Sequence, residues 1–297
     1  MKKPAILFWY YKTPEVCAER LHLLRRLNPG LPIYGLYGGN IDEYPRYEAA
    51  LRNCLDDNWG FPGSGDVEWK WRHGDLMISD WHRKRGKHLS WDTLVMMQWD
   101  MVALAPIRGI FAELGEDEIF LPGLRPMEDL EPDWWWVRPQ TAPGDEYMHF
   151  KNMMETSHGF TGPYQACQFV TAVFQRAFMD AYSEISNPEL GFLEYKLPAY
   201  ASLFGFSLAR LPCLDVTWPG EPSRNDHLTL TAAKREIQVM DIIAEYLRPG
   251  GARLFHPVSG HFPPGRAGMV KLIARELPGL LMGHLKKRLH ARQSLHR

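Results

Sequence analysis

The first forty residues constrain the fold more than any other stretch. Ala5-Ile6-Leu7-Phe8-Trp9-Tyr10 is an unbroken apolar run of branched and aromatic side chains, the pattern of a strand buried on both faces. Thr13-Pro14-Glu15 then opens a helix, with Thr13 as its cap and Pro14 at the first position, where a missing N–H costs nothing. Cys17, Leu21 and Leu24, with Val16, Leu23 and Leu27, give this helix a wide apolar face, and Asn28-Pro29-Gly30 ends it. Pro32 to Tyr37 is a second strand. Strand, helix and strand within about 35 residues form a βαβ unit, which pairs its strands in parallel.

The rest of the chain continues this pattern. Thr93 to Asp100 is an almost continuous apolar strand that ends in an acid, and Glu118 to Leu121 is a short strand. Residues 122–165, rich in Pro, Gly and Trp, read as irregular loops. Gln168 to Val173 is another strand, Leu197 to Phe204 a helix closed by Gly205, Ile237 to Leu247 a helix, and Leu254 to Val258 a last short strand. The predicted architecture is α/β: a mostly parallel, Rossmann-like sheet sandwiched by helices, with a C-terminal helical tail.

Charge divides the chain. It has 34 Lys and Arg against 35 Asp and Glu, which argues against a nucleic-acid partner. Residues 266–297 hold eight of the bases and only Glu276 among the acids, so residues 1–265 keep 26 and 34. We therefore expect a catalytic domain over 1–265 and a basic amphipathic tail over 266–297. In the tail, Val270, Ile273, Ala274 and Leu277 form one helical stripe. Leu281, Met282, Leu285 and Leu289 form a second, beside Lys286, Lys287, Arg288 and Arg292. Such a tail suits docking on an anionic membrane surface. Cys17, Cys54, Cys167 and Cys213 form no CxxC pair and imply reduced thiols in a cytoplasmic protein, peripheral on the inner membrane face if the tail docks. The short aromatic run after Met1-Lys2-Lys3-Pro4 fits a first strand better than a signal peptide. No apolar run is long enough to span a bilayer.

In open parallel sheets, ligands bind beyond the carboxyl ends of the strands. Asp100 lies at such an end, where a carboxylate suits a hard divalent cation shared with a diphosphate. His256, in Phe255-His256-Pro257-Val258, offers an imidazole whose neutral form is available near pH 7. Glu194 stands just before a helix expected to start near Pro198, where the dipole favours the ionised form that a general base needs. Trp69-Lys70-Trp71-Arg72-His73-Gly74-Asp75 and Trp134-Trp135-Trp136 are dense in flat rings that could stack on a base or a sugar, or simply pack. HExxH, the P-loop, GxGxxG and GxSxG are all absent.

In order and spacing these pieces resemble the GT-A type glycosyltransferases, the nucleotide-diphospho-sugar transferase superfamily, over roughly residues 4–262. Gln98-Trp99-Asp100 falls where that family carries its DxD motif, with Gln98 replacing the first acid. Glu194 to Pro198 with Gly205 resembles the acid and helix of bacterial relatives, and His256-Pro257-Val258 the late element whose histidine can complete the metal site. The resemblance implies transfer of a sugar from a nucleotide-sugar donor to a glycan or lipid-linked acceptor, in cell-surface polysaccharide synthesis. It further implies a divalent cation (Mn²⁺ or Mg²⁺) on Asp100 and His256, Glu194 as base in an inverting enzyme, and Gln98 toward the ribose. Trp9, Tyr10 and Asp75 would frame the nucleoside. Two alternatives stay open: a sugar-phosphate nucleotidyltransferase, and a non-catalytic nucleotide-sugar or carbohydrate-binding protein, for which Gln98 speaks.

Overall fold

The computed structural model describes residues 1–63, 66–131, 133–216, 218, 229–232, 236–262, 268, 270–272 and 274–275. Its strands are β1 (Pro4–Tyr10), β2 (Ile33–Tyr37), β3 (Asp57–Gly60), β4 (Thr93–Gln98), β5 (Val102–Ala103), β6 (Glu118–Phe120), β7 (Arg125–Pro126), β8 (Gln165–Ala166), β9 (Thr171–Gln175), β10 (Ser207–Ala209) and β11 (Leu254–Phe255). The α-helices are α1 (Pro14–Leu27), α2 (Tyr44–Leu51), α3 (Val67–Arg72), α4 (Gly74–Lys84), α5 (Ile107–Ile110), α6 (Ala142–His158), α7 (Arg176–Tyr182), α8 (Leu193–Leu203) and α9 (Val239–Leu247).

Seven strands form one sheet in the order β10-β6-β9-β4-β1-β2-β3. β1 pairs in parallel with β2 and with β4, as the βαβ unit requires, and β9 alone runs antiparallel to its neighbours β4 and β6. The fold is therefore the expected mostly parallel α/β sheet. Side chains alternate along β1: Ala5, Leu7 and Trp9 enter one core layer, and Ile6, Phe8 and Tyr10 the other. Helices α4, α6, α7 and α8 cover the first layer, while α1, α2 and α5 cover the second. A smaller cluster joins Leu23, Val102, Ile242, Phe255 and Phe262.

Three local expectations change. Residues 142–158 form a 17-residue helix inside the segment expected to be irregular. Its buried Tyr147, Phe150 and Met154 are diluted by Pro, Gly, Asn and Thr, so the apolar period is faint, yet Thr141 caps it by accepting from Gly144 N at 3.2 Å. Thr13 does not cap α1. It sits in the left-handed region at φ 36°, ψ 87°, with no hydroxyl bond to the helix. Helix α8 begins at Leu193 rather than near Pro198, which lies within it. In the tail, Val270 and Ala274 are exposed and Leu272 is the buried residue. Ile273, Leu277 and the stripe Leu281, Met282, Leu285, Leu289 lie outside the described residues. Among the described residues no helix is long and apolar enough to cross a membrane.

Candidate functional site

The carboxyl ends of β1 and β4 lie side by side, since Trp9 pairs with Gln98 and Trp9 O accepts from Trp99 N at 2.9 Å. Asp100 follows at once. The chain then turns into β5, which pairs antiparallel with β11 so that Val102 faces Phe255. This small pairing brings His256 to Asp100: Val258 N donates to Asp100 O at 2.7 Å, and His256 Nε2 lies 3.4 Å from Asp100 Oδ1. Both side chains are largely buried, at 8% and 14% exposed.

The imidazole is fixed from the other side. Its Nδ1 stands 2.8 Å from Thr231 O, and a carbonyl only accepts, so Nδ1 carries the proton. The main chain of His256 is held twice, donating to Thr229 O and accepting from Thr231 N, each at 3.0 Å. A neutral imidazole held this way turns the lone pair of Nε2 toward Asp100, whose Oδ1 is buried with no hydrogen-bond partner. At 3.4 Å, either a proton on Nε2 or a cation between the two atoms would satisfy that oxygen. One imidazole nitrogen and one carboxylate oxygen fit a divalent cation that completes its shell with phosphate and water. Among the described residues no group of three His, Cys, Asp or Glu side chains stands ready to hold a metal.

Gln98 and Glu194 meet on one peptide segment. Gln98 Nε2 donates to Phe169 O at 3.0 Å, and Glu194 Oε1 accepts from Phe169 N at 2.8 Å. The structure thus brings Gln98, Asp100, Glu194 and His256 to the same edge of the sheet. Pro198 helps to seat Glu194. Lacking an N–H, it cannot donate the helical bond to the Glu194 carbonyl four residues back, and Glu194 O accepts instead from Cys167 N at 2.9 Å. The carboxyl sits in the first turn of α8, where burial acts against the dipole. Although part of the residue still reaches solvent, burial pushes Glu194 up to about 8, only partly opposed by the Phe169 N–H.

The residues expected at the nucleoside end fare unequally. Trp9 lies at the edge of the site, only 8% exposed, its ring packed against Gly38 and Gly74. A Cβ at either glycine would come within 2.4 Å of that ring. Tyr10 does not reach this edge: strand alternation turns it into the opposite layer, where its hydroxyl donates to Asn58 Oδ1 at 2.9 Å and burial pushes its pKa up. Asp75 is also withdrawn. It is buried and accepts from Tyr182 Oη at 2.5 Å, and its Oδ2 lies 2.9 Å from Lys196 Nζ, with both side chains fully buried.

Sequence reading missed Thr231 and Phe169, which orient the site through main-chain atoms and leave no side-chain signature. It also missed Lys196, although a lysine two residues after Glu194 within an apolar helix is such a signal. A cavity of about 460 Å³ lies at the carboxyl ends of β6 and β10, lined by Arg125, Asp129, Arg210 and Asp215, and none of the four site residues borders it.

No family model and no curated protein matches the sequence. Among solved structures, a cytidylyltransferase from Leptospira borgpetersenii is similar at a TM-score of 0.37 and 12% identity, over 71% of this chain and 76% of that one. A likeness of that depth carries no argument for activity or site.

Proposed function

We propose that the chain is a glycosyltransferase that moves a sugar from a nucleotide-sugar donor to a hydroxyl of a carbohydrate or lipid-linked acceptor. The observation that carries this reading is the unbonded approach of His256 Nε2 and Asp100 Oδ1 at the carboxyl end of β4, beside Gln98 and Glu194. In the reaction, the acceptor oxygen bonds to the anomeric carbon as the bond from that carbon to the diphosphate oxygen breaks. The acceptor proton goes to Glu194, and the nucleoside diphosphate leaves with the bonding pair. A divalent cation held by Asp100 and His256 would neutralise the charge that develops on the leaving group. Gln98, a poor cation ligand with its amide nitrogen already on Phe169 O, would hold the segment on which Glu194 rests.

The test is a thermal-shift panel of UDP-, GDP-, CMP- and dTDP-sugars with and without Mn²⁺, followed by product analysis of any donor that binds. A donor at about 100 times its dissociation constant raises stability by roughly 2.7 kcal/mol. Release of a nucleoside diphosphate with a glycosylated acceptor supports the proposal. Pyrophosphate formed from a nucleoside triphosphate and a sugar phosphate would assign the chain to nucleotidyl transfer instead, and donor binding without turnover would make it a binding protein.

A further inference from the structure

Two tryptophans stand out of the fold beside the proposed site. Trp71 is 58% exposed and Trp135 is 54% exposed, in a chain whose other indoles are mostly buried or packed against the core. They are not loose. Trp71 meets Trp136 edge-on at 5.2 Å and Phe192 at 5.8 Å, and Trp136 and Phe192 stack at 4.2 Å with 18° between their planes. The Arg72 guanidinium lies 5.6 Å over Trp136 and pairs with Glu146, whose second oxygen accepts from Gly191 N at 3.1 Å. An indole on such a rigid base loses little freedom when a ligand covers it. Phe192 also immediately precedes the turn of α8 that carries Glu194.

From this arrangement we infer that Trp71 is a stacking platform for a sugar ring of an oligosaccharide or polysaccharide acceptor. The role as acceptor subsite rests on the transferase reading; the binding itself does not. A pyranose has one face of C–H groups, which an exposed indole covers, and a rim of hydroxyls, which needs planar donors and acceptors. The Arg72–Glu146 pair supplies both beside the rings. A lipid surface fits less well. Exposed acids Asp66, Glu68 and Asp133 lie close to the rings in the chain, while Lys70 donates to Gly39 O at 2.7 Å and Arg138 to Asp133 O at 3.3 Å. Anionic headgroups would meet carboxylates there.

Native affinity electrophoresis tests this without any donor, in gels containing dextran, mannan, arabinogalactan or xylan, alongside flotation with phosphatidylethanolamine–phosphatidylglycerol vesicles. The wild-type chain is expected to be retarded by at least one polysaccharide. Trp71→Ala should weaken that retention tenfold or more, and Trp71→Tyr, which keeps a flat ring, should stay within about threefold. Trp71 is exposed, so both variants keep the wild-type circular dichroism and melting temperature. No retention of the wild type by any of the four, or equal retention of Trp71→Ala, overturns the platform even if donor turnover is found. Vesicle binding lost in Trp71→Ala without polysaccharide retention overturns it in favour of a membrane. Retention that depends on Trp71 in a protein that turns over no donor leaves the platform standing and removes the transferase reading.

Discussion

His256 Nε2 faces Asp100 Oδ1 across 3.4 Å without a hydrogen bond, while the opposite nitrogen of the same ring is committed to Thr231 O. With Nδ1 committed to Thr231 O, Nε2 is the nitrogen left to meet Asp100, through a proton as an ion pair or through a lone pair shared with a cation. Mn²⁺ should raise the melting temperature of the wild-type protein by a few degrees in the presence of the accepted donor. Asp100→Ala and His256→Ala should each abolish that increment while leaving the metal-free melting temperature within a few degrees of wild type. Metal-induced stabilisation that survives in both variants would place the cation elsewhere.

The raised pKa of Glu194 makes a prediction about stability. Its folded-state pKa of about 8 lies above the ordinary 4.5, so the folded protein holds this proton more tightly than the unfolded chain does. The associated stability is fully present below pH 4.5 and is lost as pH rises through about 8. The total is roughly 5 kcal/mol for this one group. Glu194→Gln, with no proton to release, should flatten the fall in urea midpoint between pH 5 and pH 9. An unchanged slope would contradict the assignment.

The same group sets the expected rate profile. A general base works only when deprotonated, so turnover should climb tenfold per pH unit below about 8 and level off above it. Glu194→Gln should lose at least a hundredfold in kcat with little change in donor binding. A pH-independent rate between 6 and 9 would exclude Glu194 from proton transfer.

Lys196 and Asp75 tie α8 to α4 in a place where neither charge meets water. Removing one partner leaves the other buried and unpaired, so Lys196→Met should cost about 3–5 kcal/mol in urea unfolding. Lys196→Met combined with Asp75→Asn should cost clearly less than the sum of the two single changes. Strict additivity would mean that the pair does not interact energetically.

Gly38 is needed because the Trp9 ring occupies the space of a side chain there, with Nε1 only 2.4 Å from where a Cβ would stand. Gly38→Ala should force the indole aside, destabilise the protein by about 1–3 kcal/mol, and shift its fluorescence as Trp9 gains solvent. A wild-type spectrum and stability would show that the ring moves freely.

Much of this fold is legible in the chain. The run Ala5 to Tyr10, the helix after Pro14 and the strand from Thr93 each depend on local periodicity and turn chemistry, and each appears where expected, the last ending at Gln98 rather than Asp100. Asp100 could be picked out for the same reason: an acid at the end of a doubly buried strand has nowhere to go but the crevice. Helix α6 was hidden because its buried residues are spaced among helix-weakening ones, so its stability comes from the layer it packs against.

What no local pattern contains is which distant segments meet. The β5–β11 pairing joins His256 to Asp100, and Phe169 joins Gln98 to Glu194, all through main-chain bonds that any sequence can make. Tyr10 and Asp75 looked as available as Trp9 until strand alternation and Lys196 drew them into the core. The sequence by itself determined β1, α1, β2 and their βαβ pairing, because these follow from side-chain period and backbone propensity. Only the tertiary structure decided which polar residues face the crevice, because burial and partnership are properties of neighbours far apart in the chain.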